Sequence, residues 1–122
     1  MVNLMTIKKT IAITLLGIGL MISAQAGATG LGPVVSQAYE VALSNFRAPA
    51  TANGAAAFKT CDDCERQSVR VTNGTRYQIN GRALRLQDFR KAISQVNSRS
   101  GVAVTVLHHL ESDTIELINV SL

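Results

Sequence analysis

The sequence predicts an α+β fold: a small antiparallel β-meander, then one amphipathic helix and one or two further strands, preceded by a signal peptide and a short N-terminal helix. Three observations support it. The pairs Asn73-Gly74 and Asn80-Gly81 separate short runs that alternate branched or aromatic residues with polar ones, the pattern of hairpin turns between strands. From Leu86 the apolar residues recur at three- and four-residue steps, which is a helical period. Residues 102–107 then form a nearly unbroken β-branched run, which fits a strand covered on both faces.

The N-terminus reads as an export signal. Lys8 and Lys9 give a positive start, residues 10–22 an apolar run, and Ala24-Gln25-Ala26 a small-x-small cleavage site. Cleavage after Ala26 leaves Gly27 first, and a cut after Ala28 is the alternative. An uncleaved N-terminal membrane anchor competes with this reading, since residues 10–28 approach the ~20 apolar residues that a span requires. The expected organisation is a signal peptide over 1–26, a short helix and Ala-rich linker over 27–58, and a small α+β domain over 59–122. The expected address is periplasmic or secreted, with no stable membrane span after cleavage.

Losing Lys8 and Lys9, and no acid, lowers the net charge from +4 to +2. The remaining basic residues are unevenly placed: Arg66, Arg70, Arg76, Arg82, Arg85, Arg90, Lys91 and Arg99 face only Asp88 between positions 66 and 99. Such asymmetry marks either an anion-binding surface or simply solvated strand and helix faces. In an exported protein it points away from nucleic acid and toward a cell-envelope protein or an anionic cell-wall polymer. Arg70, Arg76, Arg82 and Arg85 are the candidate interaction surface.

Along the chain, Pro33 suits a first helical position, and Val34, Ala38, Val41, Ala42 and Phe46 follow at helical spacing, so a helix is expected over 33–46. Pro49 disfavours helical geometry at Ala48 and ends it. Residues 48–57 have no period and almost no bulky side chain, hence the linker. The meander strands are expected over 68–72, 75–79 and 82–85, with Val69, Val71, Tyr77, Ile79 and Leu84 on one face and the arginines on the other. Leu86, Phe89, Ile93 and Val96 define a helix to about Asn97, with Asp88 and Arg99 placed to suit its dipole and Gly101 beyond its end. Residues 108–113 form a turn. For 114–122, Ile118, Val120 and Leu122 alternate like an edge strand, whereas Ile115, Leu117 and Ile118 fit a helix; β-branched content tips the balance toward strand.

The run Val-x-Val-Thr-Asn-Gly-Thr-x-Tyr-x-Ile-Asn-Gly-x-x-Leu-x-Leu-x-Asp-Phe from Val69, with the helix and Val-rich strand to Val106, resembles the periplasmic domain of the biopolymer-transport ExbD/TolR family. The resemblance implies a folded periplasmic module for protein or cell-wall contact. That family also carries a transmembrane helix with a proton-coupling aspartate, and residues 10–28 contain no acid. A motor role is therefore not implied.

Cys61 and Cys64 are the only cysteines and stand in C-x-x-C spacing. Three readings are open. A disulfide brace would stabilise a small exported domain by about 2 kcal/mol for so short a loop. A thiol-disulfide redox pair needs cationic neighbours or a helix N-terminus to lower a thiol pKa, whereas Asp62, Asp63 and Glu65 surround these sulfurs with negative charge. A zinc module would need Cys61 and Cys64 to meet His108 or His109, of which only one can point into a shared site because neighbours on a strand face opposite ways. No other catalytic constellation can be assembled, and no cofactor is implied. The sequence thus points to an exported, non-enzymatic interaction or adaptor module of the cell envelope, capable of homodimerising through an edge strand, with the redox and zinc readings as alternatives.

Overall fold

The computed structural model describes residues 33–122. The expected signal peptide, and the part of the 27–58 segment before Pro33, lie outside the described residues. No described helix is long and apolar enough to cross a membrane.

The chain runs β1 (Ser36–Ala42), a 3-10 turn (Leu43–Asn45), β2 (Phe46–Arg47), β3 (Ala55–Phe58), β4 (Gln67–Arg70), β5 (Arg76–Ile79), β6 (Arg82–Leu84), α1 (Leu86–Ser94), a second 3-10 turn (Arg99–Gly101), β7 (Ala103–His109) and β8 (Thr114–Ser121). The eight described strands join one sheet in the order β1-β7-β8-β4-β3-β2, with β5 and β6 attached to the same side of β8 as β4. The mixed α+β class is as expected; the number of strands is larger.

The segment expected as a helix over 33–46 is instead β1, antiparallel to β7 from Ser36 opposite His109 to Ala42 opposite Ala103. The physical reason lies in Tyr39, Val41 and Leu43. These alternate, Val41 and Leu43 are buried and Tyr39 packs against the core, whereas the helical reading rested partly on Ala38, which is exposed. The end of the expected linker, residues 55–57, is instead part of β3. Ala56 is fully buried in β3, where a small side chain suffices because Val69 of β4 lies opposite it.

The meander is only half right. Asn80 and Gly81 both have positive φ, 52° and 81°, which is the backbone of a tight two-residue hairpin turn, and they join β5 to β6 with Ile79 opposite Arg82. Asn73-Gly74 behaves differently. The Thr72 hydroxyl accepts from the Gly74 N–H at 3.1 Å and the Thr75 hydroxyl from the Thr72 N–H at 2.9 Å, so threonine side chains organise a turn that does not reverse the sheet pairing. Consequently β4 and β5 do not pair; both run parallel to β8, β4 meeting it at Thr114 and β5 from Leu117 to Val120.

Phe89 and Ile93 of α1 are buried, and Phe89 meets Tyr77 of β5 with ring centroids 5.3 Å apart. The helix ends at Ser94, three residues short of the expected Asn97, and Arg99 donates from Nη1 to the Ile93 carbonyl at 2.8 Å, an acceptor it shares with the Val96 N–H. Tyr39 of β1 meets Phe58 of β3 at 5.2 Å. Strands far apart in the sheet order therefore touch, so the sheet curls over its own apolar face. β7 is covered well on that face, through Val104 and Val106, but Thr105 and Leu107 behind them are only half-buried. β8 is a central strand, not an edge.

Tyr77 is 7% exposed, and its hydroxyl is buried without a hydrogen-bond partner among the described residues. Burial pushes its pKa above the ordinary 10.0. The unfolded chain therefore gives up this proton first, and the folded state loses stability as pH rises past that value. Tyr77→Phe removes an unpaired polar group and should raise stability by about 1 kcal/mol at neutral pH. In urea titrations its advantage over the wild type should widen above about pH 10.

Candidate functional site

The C-x-x-C motif sits in the loop that joins β3 to β4. Phe58 opposite Gln67 is the last pair of that hairpin, and Cys61 and Cys64 lie beyond it at disulfide-bonding distance, Cα to Cα 5.0 Å. The loop is held from three directions. Asn45, 8% exposed in the first 3-10 turn, donates from Nδ2 to Asp62 Oδ1 at 2.9 Å. Lys59 Nζ donates to the Asp62 carbonyl at 2.9 Å, and the Cys64 N–H to the Cys61 carbonyl at 3.2 Å. Asn45 gave no signal in the sequence because its segment read as helix.

The motif opens no helix; turn and irregular backbone continue to β4. Asp62, Asp63 and Glu65 are exposed around it, and the nearby cation of Lys59 is committed to a carbonyl. A bond here closes a short exposed loop and fixes the end of a hairpin.

His108 and His109 end β7 and turn toward their own hairpin. His108 Nε2 lies 2.7 Å from Asp113 Oδ1, and its ring stacks on Tyr39 at 6.3 Å. Its Nδ1 is buried without a hydrogen-bond partner among the described residues. His109 Nδ1 lies 2.9 Å from Ser112 Oγ and accepts from the Ser112 N–H at 3.2 Å, so it closes the turn before β8. Among the described residues no group of three or more His, Cys, Asp or Glu is gathered closely enough to hold a metal ion. Cys61, Cys64, His108 and His109, the residues of the alternative zinc reading, are not gathered into one such group.

The four candidate arginines are exposed but scattered. Arg70 and Arg76 alternate with buried Val69, Val71 and Tyr77 and so face away from the core, as expected. Arg82 does not: it shares a face with Leu84 and lines a groove of about 390 Å³ with Ile79, Leu84 and Ala92. Arg85 is the residue before α1, with Nε 3.4 Å from Asp88, in a separate groove of about 520 Å³ that also holds Arg90. The expectation of one arginine face fails because Arg82 follows a tight turn that sets its parity with the apolar residues.

The most prominent open feature is β1. Among the described strands it pairs with β7 alone, and its lead-in carries Val34 and Val35, which are 74% and 54% exposed. The remaining edges are far shorter, two residues in β2 and three in β6.

No family model, curated protein or solved structure matches the chain.

Cys61→Ser with Cys64→Ser should lower stability by about 2 kcal/mol, as should reduction of the wild type, measured by urea unfolding with and without dithiothreitol. Asn45→Ala should cost about 1 kcal/mol by leaving Asp62 without its amide partner.

Proposed function

We propose that the protein is an exported, non-enzymatic interaction module of the bacterial cell envelope, braced by a Cys61–Cys64 disulfide and docking through the free edge of β1. The open edge carries the proposal. An unpaired strand presents a row of backbone donors and acceptors to any extended segment that can match it, and soluble proteins normally shorten or charge such edges. β1 is seven residues long, and Glu40 is its sole charge. The exposed Val34 and Val35 at its start add apolar surface to the same line.

The leader pattern and the cysteine pair support the address, because a disulfide persists in an oxidising compartment and not in the bacterial cytosol. The likeness of residues 69–106 to the ExbD/TolR periplasmic domain supports a role in protein or cell-wall contact. Scattered arginines favour a protein partner over an anionic cell-wall polymer. The exposed, acid-flanked setting of Cys61 and Cys64 favours a brace over a redox centre.

Protein recovered from cells should appear in the periplasmic or secreted fraction with Gly27 or Thr29 as its first residue. Its intact mass should be lower by two hydrogens than after reduction, with no thiol open to maleimide. An intact Met1 in the membrane fraction would replace export by anchoring, rapid turnover of test disulfides would replace the brace by redox chemistry, and stoichiometric zinc in chelator-free preparations would replace both.

A further inference from the structure

The backbone of β1 defines what its free edge can accept. The Leu43 N–H donates to the Val102 carbonyl at 2.8 Å, and the Leu110 N–H to the Val35 carbonyl at 2.9 Å, so the pairing with β7 extends beyond the strand at both ends through odd-numbered residues. Backbone groups alternate sides along a strand. The odd-numbered residues therefore spend their N–H and C=O groups on β7, while those of Ser36, Ala38, Glu40 and Ala42 point to the free edge. Residues 34–42 form the stretch available for pairing, and Ala38 is its midpoint.

We infer that the occupant of this edge is a second copy of the chain, paired antiparallel through β1 about a two-fold axis at Ala38. The inference deepens the docking role proposed above and rests on it. In this register Ala38 faces Ala38, Gln37 faces Tyr39 and Ser36 faces Glu40. Val35 falls opposite Val41 and Val34 opposite Ala42, so these two exposed valines of the lead-in meet apolar partners. Shifting the axis by one residue in either direction breaks this match: about Gln37, Val34 meets Glu40, and about Tyr39, Val35 meets Leu43 in the 3-10 turn. The pairing is self-complementary and closed, because each copy uses the same edge and the other edges are too short to propagate a sheet.

The register has a specific electrostatic cost. The Ser36 hydroxyl hydrogen-bonds to the Glu116 carboxylate, and Glu40 of the second copy arrives opposite Ser36. Two carboxylates therefore approach on one face at each end of the interface, with His109 next to Ser36 in β7 as the neighbouring titratable group. Neutralising Glu40 should tighten the dimer, and adding acid at Ala38 should break it.

Sedimentation equilibrium of the mature, oxidised protein over a wide concentration range reads the association directly. A monomer–dimer equilibrium is expected. Ala38→Glu should raise the dissociation constant roughly tenfold or more, and Ala38→Pro should do the same, since it removes an outward N–H and leaves the bonds to β7 in place. Glu40→Gln should lower the constant. Circular dichroism separates loss of pairing from loss of fold. An Ala38→Cys variant should oxidise to a covalent dimer, because facing residues have Cα atoms about 5.5 Å apart. Ser36→Cys should not, since its two copies lie about 13 Å apart along the strands. A wild type that stays monomeric at all concentrations, a dimer indifferent to Ala38→Glu and Ala38→Pro, or crosslinking at Ser36 in place of Ala38 would overturn the inference. A monomer that binds an extended peptide from another envelope protein through β1 would overturn the second copy as occupant and leave the docking role standing.

Discussion

One edge of β8 is longer than either strand that pairs with it, and the architecture follows from how the chain fills that edge. β4 covers its start and β5 its end, leaving Ile115 and Glu116 between them without a strand partner on that side. A buried carbonyl at such a gap needs a donor. Thr75 supplies it: the hydroxyl of this buried residue donates to the Ile115 carbonyl at 2.6 Å and accepts from the Thr72 N–H at 2.9 Å. One side chain thus closes the break in the sheet and holds the turn that creates it. Downstream of the break the outer partner changes from β3 to β6, which places the C-x-x-C loop on one ribbon and α1 after the other.

What could be read from the sequence divides along the range of the interactions. Local features were legible. The Asn80-Gly81 hairpin, the helix built on Phe89 and Ile93, the Arg99 contact at its end and the strand character of Val104 and Val106 each depend on a few neighbouring residues. Features decided by distant partners were not. Residues 36–42 contain alanines that fit helix and strand equally, and only β7 across the sheet resolves them. Asn73-Gly74 carries the same dipeptide signal as Asn80-Gly81, yet Thr72 and Thr75 on either side capture the backbone and Ile115, forty residues away, holds the result.

The candidate site shows the same division. Cys61 and Cys64 were found by spacing, and their distance in the structure fits a bond between them. The Asn45 amide that anchors their loop was hidden in a misread segment. So was the free edge, because a strand mistaken for a helix has no edge to present. Conversely, the arginines formed the most conspicuous pattern in the sequence and are dispersed by the fold, two on the outer face, one beside Ala92 and one at the start of α1.

The position of β8 has a consequence for how the chain becomes a protein. It is the last of the described strands in chain order, yet it lies between β7 on one side and β4 and β5 on the other. Until it exists, β4 and β5 have no parallel partner and Tyr77 lacks Ile118 beside it. Without it the chain can form the β2–β3, β3–β4 and β5–β6 pairings and, once β7 is present, the β1–β7 pairing, of which the isolated hairpins are marginal alone in water. The sheet therefore closes only when its final described strand inserts between partners far apart in sequence, and pairings of that kind slow folding.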